Sequence, residues 1–317
     1  MKMMYLGFAG LLLASMVQGA FTIEDDGTAL TIMESENPVL TYRYEPGELP
    51  RLVPERYRRA CYIHPLYGLD GEVMTQDFPL DHLHHRGVFW TWPDSTIGER
   101  ELKVWALDGA RHVTESVEQT VEDNQVVVSA VNNWVFDDDP ETPIIREEVR
   151  FTVHPEADDA RSIDFELTFT NVADELFVLR GSGTEDKGYG GFCLRPDATR
   201  RPLSFTSAVG PRPEDEDVAD EPLPSPWVDV SYATESGGEV VSGAAIFQHP
   251  ENPDYPHSGW ILRHYGFLGQ SWPHIQPYEM EPGDSVTLRY RLYVHRGNAE
   301  DANVAEAFAA YEAANLP

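Results

Sequence analysis

Val149–Phe169 reads VRFTVHPEADDARSIDFELTF, and the period of its apolar residues decides the fold class. Val149, Phe151 and Val153 alternate with polar residues, and so do Ile163, Phe165, Leu167 and Phe169 beyond the turn-rich HPEADDARS. Successive side chains of a strand point to opposite faces, so this pattern describes an antiparallel pair with one face buried. The same period returns at Val286, Leu288, Tyr290, Leu292 and Val294, after the turn EPGD. Further strands are expected at Ala29 to Met33, Val39 to Arg43, Leu102 to Leu107, Val126 to Val135, Trp227 to Tyr232 and Val240 to Phe247. Nearly all are followed by Pro, Gly, Asn or Asp, the residues that turns require. Many short strands with no helical pattern between them predict an all-β antiparallel sandwich or barrel.

One helix is expected, at Ala299 to Asn315. It is alanine-rich and sets Val304, Phe308 and Tyr311 at helical spacing. The stretch from Pro211 to Pro226, rich in Pro, Glu and Asp, reads as an exposed acidic loop. No internal repeat is present, so residues 21–317 read as a single domain.

The first twenty residues follow another logic. Lys2 precedes an apolar run from Met3 to Val17, then Gln18, Gly19 and Ala20, the order of a secretory signal peptide. A periplasmic or secreted product is expected. No later segment has the ~18 uninterrupted apolar residues of a membrane span. The balance of 54 acidic against 23 basic residues gives −31. Nucleic acid is an unfavourable partner for such a chain, because its phosphates are repelled. Cys61 and Cys193 suit either one disulfide in an oxidising compartment or two buried thiols.

Chemistry concentrates in DHLHHRGVFW, Asp81 to Trp90, which holds three of the eleven histidines. Read as a strand, it puts His82, His84 and Arg86 on one face and Asp81, Leu83 and His85 on the other. Imidazoles near neutrality suit proton transfer, and guanidinium suits carboxylate binding. Three more segments bear polar groups beside aromatics and glycines: Gly183 to Arg195, with Lys187 and Arg195; Phe247 to Pro273, with His249, His257, Trp260, Arg263, His264 and Tyr265; and the strand face of Arg289, Arg291, Tyr293 and His295. Such a set lines a sugar-binding groove.

The run YIHPLYGLDGEVMTQDFPLDHLHHRGVFWTW (Tyr62 to Trp92), KGYGGFCLR (Lys187 to Arg195), WVDV at Trp227, HP-x-NP at His249, W-x-x-R-x-YG at Trp260 and LRYRLYVHRG (Leu288 to Gly297) together resemble the bacterial PmoA-like family of exported proteins. Leu83 departs from that pattern, which has proline there. The resemblance implies a sandwich of the galactose-mutarotase type, in a family associated with polysaccharide breakdown. The label methane oxygenase attached to that family does not suit a chain without several spanning segments.

These readings converge on a carbohydrate-active epimerase, lyase or hydrolase that needs no cofactor. His84, His85, Arg86 and Tyr265 are the candidate catalytic residues; His82, Lys187, Arg195, His249, Trp260 and Arg263 are the candidate substrate contacts. One alternative is a metal-dependent oxidoreductase or hydrolase with His82, His84 and His249 or His257 as ligands of a divalent metal. The other is a noncatalytic glycan-binding module.

The signal segment predicts a mature N-terminus at Ala20 or Phe21 in protein recovered from its native host, as read by N-terminal sequencing. Retention of Met1 would refute export.

Overall fold

The computed structural model describes residues 20–200, 202–213, 222–233 and 240–316. The signal segment before Ala20 lies outside the described residues, as do 214–221 of the acidic loop.

The expected pair forms in the expected register. Ile145–Val153 and Ala160–Asn171 run antiparallel with Val149 opposite Leu167, Phe151 opposite Phe165 and Val153 opposite Ile163. Ser285–Arg296 joins on the far side, setting Leu288 against Leu167 and Tyr290 against Phe165. These strands form the middle of a nine-stranded sheet. Beyond Ser285–Arg296 it continues through Val240–Gln248, Trp227–Ala233, Leu203–Ser207 and Gly210–Arg212. Beyond Ile145–Val153 it continues through Gln125–Phe136 and Ala110–Glu122.

An eight-stranded sheet packs against it. Its order is Phe21–Asp25, Ala29–Glu34, Asn37–Arg43, Tyr62–Leu66, Val88–Thr91, Gly191–Leu194, Phe267–Gln270 and Trp260–Arg263. Leu40, Tyr42, Ile63, Val88, Trp90, Phe192 and Leu268 from this sheet share one core with the apolar face of the other. A four-stranded sheet, Tyr278–Met280, Phe177–Leu179, Ser95–Ile97 and Arg100–Leu102, adds Met280, Phe177, Leu179, Ile97 and Leu102 to that core. The fold is an antiparallel β-sandwich with one C-terminal helix.

A polar hub crosses the core. Glu147 is fully buried and accepts hydrogen bonds from Trp134 Nε1 (2.7 Å) and Asn132 Nδ2 (2.8 Å) in its own sheet, and from Trp90 Nε1 (3.0 Å) in the opposite one. Burial pushes the carboxyl up from its ordinary value, while these three donors act to hold it down.

Three expectations need correction. The helix is Val304–Asn315 and does not begin at Ala299. Asn298 Oδ1 accepts from the backbone N–H groups of Glu300 and Asp301, a local turn that competes with helix, and Asn303 is left-handed at φ 49°. The helix lays Val304, Phe308 and Tyr311 on Trp227 and Phe247, covering the outer face of the nine-stranded sheet. Leu102 to Leu107 is not a strand: Arg100–Leu102 ends there and turns follow, with Val104, Trp105 and Leu107 buried. Pro211 and Arg212 belong to the strand Gly210–Arg212. Cys61 and Cys193 are both buried free thiols.

Trp90→Phe would remove the one hub donor that comes from the eight-stranded sheet. Losing a hydrogen bond to a buried carboxyl, plus some volume, should lower unfolding stability by about 2–4 kcal/mol, measured by urea denaturation. A change within ~0.5 kcal/mol, the range of an ordinary surface exchange, would show that the hub does not tie the sheets.

Candidate functional site

The histidine segment is a loop of two tight turns, not a strand. His82 N–H donates to Pro79 O (3.0 Å) and His85 N–H to His82 O (2.9 Å), which curls the chain upon itself. The expected two-faced division therefore fails, and all three rings meet. His82 and His85 stack at 4.5 Å and 11°; His84 stands edge-on to both, at 5.8 and 4.7 Å. Gly87 ends the loop because a Cβ there would lie 2.3 Å from Ile63 O, so no other residue lets Val88–Thr91 approach its neighbour.

The loop rests on the outer face of the eight-stranded sheet, where Tyr62, Phe89, Trp105, Cys193, Ile261 and Phe267 form a separate apolar cluster. His85 sits at 5.1 to 5.8 Å from the rings of Phe89, Trp105 and Phe267. Tyr265, in the turn after Trp260–Arg263, stacks on His82 at 5.4 Å and 12°.

Arg86 is fully buried beneath the loop. It donates to the carbonyls of Leu83 (2.9 Å), His85 (2.7 Å) and Tyr57, stands 3.3 Å from Asp77, and lies 3.8 Å over the Phe78 ring. With its Nη donors spent on backbone carbonyls and its Nε facing Asp77 it is a staple, which leaves no group for the expected catalytic role. Arg195 is equally buried, but it faces the cluster. Its Nη2 donates to both Asp81 oxygens (2.8 and 2.9 Å) and its Nη1 to His85 Nδ1 (3.3 Å). Arginine has no acceptor, so His85 Nδ1 offers a lone pair and the neutral ring carries its proton on Nε2. Asp81 Oδ2 in turn stands 3.0 Å from His82 Nδ1. Arg195, Asp81 and His82 form a relay from the buried sheet to a half-exposed imidazole, hydrogen-bonded between Arg195 and Asp81 and at ion-pair distance, without hydrogen-bond geometry, between Asp81 and His82 Nδ1.

Electrostatics separate the three histidines. Burial, then the neighbouring charges of His82 and Arg59, push His84 down to about 3. Burial, then His84 and His82, hold His85 well below its ordinary value. Asp81 is raised by burial, but the neighbouring Arg195 and then His82 outweigh this and leave it below the usual carboxylate value. Burial pushes the Tyr265 phenol up against the opposing charges of Arg195, Arg263 and Lys187, so it stays protonated at neutral pH.

His82, His84, His85, Arg195 and Tyr265 therefore come together, with Lys187 and Arg263 near enough to act on Tyr265. Lys187 also pairs with Glu185 at 2.6 Å. Two expected contacts lie elsewhere. Trp260 points into the core and donates Nε1–H to Ser225 O (2.9 Å), because its position in the strand alternates inward. His249 follows the strand Val240–Gln248 in the other sheet and packs on Tyr311 of the helix, on the opposite outer face. Arg289 and Arg291 share that face, paired with Glu166 and Asp164. The single groove drawn from all these segments does not exist.

The metal set His82, His84 and His249 is divided between the two outer faces. His257, the other third ligand considered, turns Nδ1 onto Gly259 N–H (3.2 Å). Among the described residues, no three His, Cys, Asp or Glu side chains are grouped to hold a metal ion. The glycines of Gly188–Gly191 serve packing instead of ligand approach: a Cβ at Gly191 would lie 2.3 Å from Gln270 O, and its φ is +83°.

Sequence reasoning overlooked Asp81 as the link of the relay and Trp105 as the wall of the site. Asp81 carried a signal, directly preceding His82. Trp105 carried none beyond being aromatic.

The sequence profile of a family of unknown function (DUF6807) matches residues 29–309. No curated protein matches the chain. Among solved structures, heparan sulfate lyase HepC from Pedobacter heparinus is similar at a TM-score of 0.39 and 8% identity, over 89% of this chain and 36% of the lyase. The chain thus spans about a third of that protein's length. Galactose 1-epimerase from Lactobacillus acidophilus NCFM is similar at 0.40 and 9%, over 89% and 99% of the two chains. A GalM/aldose epimerase homologue from C. elegans is similar at 0.37 and 9%, over 88% and 100%. At these scores the likeness carries no argument about chemistry.

The depressed His84 has a pH consequence. Its folded value, about 3, lies below the ordinary 6.5, so the folded state binds fewer protons between them. The stability it contributes is complete above about pH 7 and is lost as pH falls from 6.5 toward 3. Relative to His84→Asn, the native protein should lose about 2 kcal/mol more between pH 7.5 and 5, as measured by denaturant titration at each pH. Parallel curves would show that His84 titrates freely.

Proposed function

The chain belongs to the DUF6807 family of unknown function, and we propose that within it this protein is an exported carbohydrate-active enzyme working by proton transfer, as an epimerase, lyase or hydrolase. The observation that carries the reading is the relay Arg195, Asp81, His82. A carboxylate beside Nδ1 selects the tautomer with the proton on that nitrogen and leaves Nε2 as the acceptor. An oriented imidazole of this kind is a general base. Arg195, anchored in the sheet, prevents Asp81 from drifting, which keeps the ring aimed.

His82 takes a proton from a sugar carbon or hydroxyl through Nε2. Tyr265, stacked on the same ring and held protonated by burial, returns one to the departing or ring oxygen. His85 and His84 stay neutral and supply a rigid apolar support. The expected acid/base pair His84 and His85 is thereby replaced by His82 and Tyr265, because burial removes the first two from proton exchange near neutral pH. Aromatic faces at Tyr189 and Tyr265, which are partly exposed, suit the apolar faces of a sugar ring. The signal-like N-terminal segment and the resemblance to exported proteins support secretion.

The purified protein should be screened against neutral and uronate-bearing oligosaccharides for new reducing ends, unsaturated product and anomeric exchange. His82→Ala should lower kcat by roughly 10²–10⁴-fold with little change in melting temperature, whereas His249→Ala, on the opposite face, should leave turnover unchanged. Full activity in His82→Ala would sink the relay.

A further inference from the structure

Three arginines are buried on or beside the outer face that carries the histidines, and one of them has no partner. Arg86 and Arg195 are engaged as described. Arg59 is 3% exposed, and its Nε, Nη1 and Nη2 all lack a hydrogen-bond partner. The guanidinium lies 5.2 Å from the centre of the Phe89 ring; among the described residues no carboxylate pairs with it, and the buried Glu147 acts on it only at longer range. Burial lowers the group to about 10, which leaves it charged at neutral pH. A charge taken out of water with neither counter-ion nor acceptor is strongly unfavourable, and an apolar residue of similar length would fill the place without that cost. Such a group needs an anion.

Space for one adjoins it. Arg59 lines a cavity of about 280 Å³ together with Arg43, Tyr62, His64 and Asp77, near the lower end of the ~300–1,000 Å³ of small-molecule sites. Two acids line it: Asp77 stands 3.3 Å from Arg86 Nε and accepts from Tyr62 Oη at 3.1 Å, and Glu48 is exposed to solvent. Arg43 Nε donates to His64 O (3.1 Å), and His64 Nδ1 meets Thr75 Oγ1 (2.9 Å). In that lining Arg59 is the guanidinium with all three nitrogens buried and unpartnered. Arg59 and the histidine cluster also flank one ring. Phe89 carries Arg59 at 5.2 Å and His85 at 5.8 Å, and Arg59 is one of the charges that depress His84 and His85.

We infer that Arg59 receives an oxyanion, a carboxylate or a sulfate, borne by the saccharide on which His82 acts. This rests on the proton-transfer reading for the identity of the molecule, and on the unpartnered guanidinium for the group it carries. The planar fork of arginine matches both oxyanions through two parallel hydrogen bonds, which a lysine cannot reproduce. The substrate class is then an acidic sugar, uronate-bearing or sulfated, and a neutral glycan leaves Arg59 unpaired.

Binding of sodium glucuronate, glucose 6-sulfate and glucose should be measured by calorimetry on the wild type, Arg59→Met and Arg59→Lys, with the melting temperature of each ligand-free protein. The wild type should bind one or both oxyanion sugars at least tenfold more tightly than glucose, and the better of the two identifies the group. Arg59→Met should abolish that preference and, without ligand, melt at a higher temperature than the wild type. Arg59→Lys, which keeps the charge but not the fork, should retain a reduced preference, and it serves should Arg59→Met fail to fold. No binding by the wild type, equal binding of all three sugars, or a preference that survives in both variants would overturn the inference, as would a lowered melting temperature with the preference intact. His82→Ala distinguishes the two readings: turnover retained with the preference present defeats the proton-transfer scheme and leaves Arg59 as the anion site.

Discussion

The carboxyl of Glu147 sets the geometry on which everything outside the core depends. It accepts from Trp134 and Asn132 on its own sheet and from Trp90 on the facing one. Apolar packing alone tolerates small slips between two sheets, because a displaced side chain finds other apolar contacts. A buried acceptor does not, since a slip would leave the carboxyl and an indole N–H without partners. With Trp90 fixed inward, the pleat turns Phe89 outward, and the chain before it emerges through Gly87 on the outer face. The position of the histidine loop is thus a consequence of a polar contact inside the core.

The two outer faces diverge in physical character. On the nine-stranded sheet the helix buries Trp227 and Phe247, and the rest is covered by pairs such as Arg289 with Glu166 and Arg291 with Asp164. Partly exposed pairs of that kind are weakened by water and salt. On the eight-stranded sheet the polar groups stand on an apolar floor of Phe89, Trp105 and Phe267. There the dielectric is lower, so the bidentate contact between Arg195 and Asp81 orients more strongly, and the imidazoles of His84 and His85 resist charging. The same residue types that satisfy a surface on one side build a desolvated histidine cluster on the other.

What could be read from the sequence follows from this division. Strands with one wet and one dry face announce themselves by alternation, and the pair around HPEADDARS is legible to its register. Ala110–Glu122 escapes because it is an edge strand exposed on both faces for most of its length, so no period survives in ARHVTESVEQTVE. The membership of the candidate site was partly legible: the composition of DHLHHRG, together with Arg195 and Tyr265, marks the chemistry. Its conformation was not, since two turns held by Pro79 O and His82 O leave no periodic trace. Inward and outward positions on short strands are equally silent. Trp260 and Ile261 differ by one residue, yet one belongs to the core and the other to the floor of the site.

Arg86, Arg195 and Arg59 form a series in which burial is constant and partners vary. The first spends its donors on backbone carbonyls and an acid, the second on a carboxylate that aims a histidine, the third on nothing. Single buried polar atoms lack partners elsewhere too, Tyr42 Oη and Ser95 Oγ among them, but Arg59 leaves a whole charged group unpaired. Such departures concentrate where a protein waits for a ligand. The setting reinforces this. A chain with a net charge of −31 repels anions at long range, and salt shortens that repulsion to ~8 Å at physiological ionic strength. An acidic sugar that reaches the outer face then meets a cation held out of water, where the attraction is least screened. Long-range repulsion with short-range capture favours ligands that fit the cavity over anions at large, and it makes shape, not charge alone, the basis of selection.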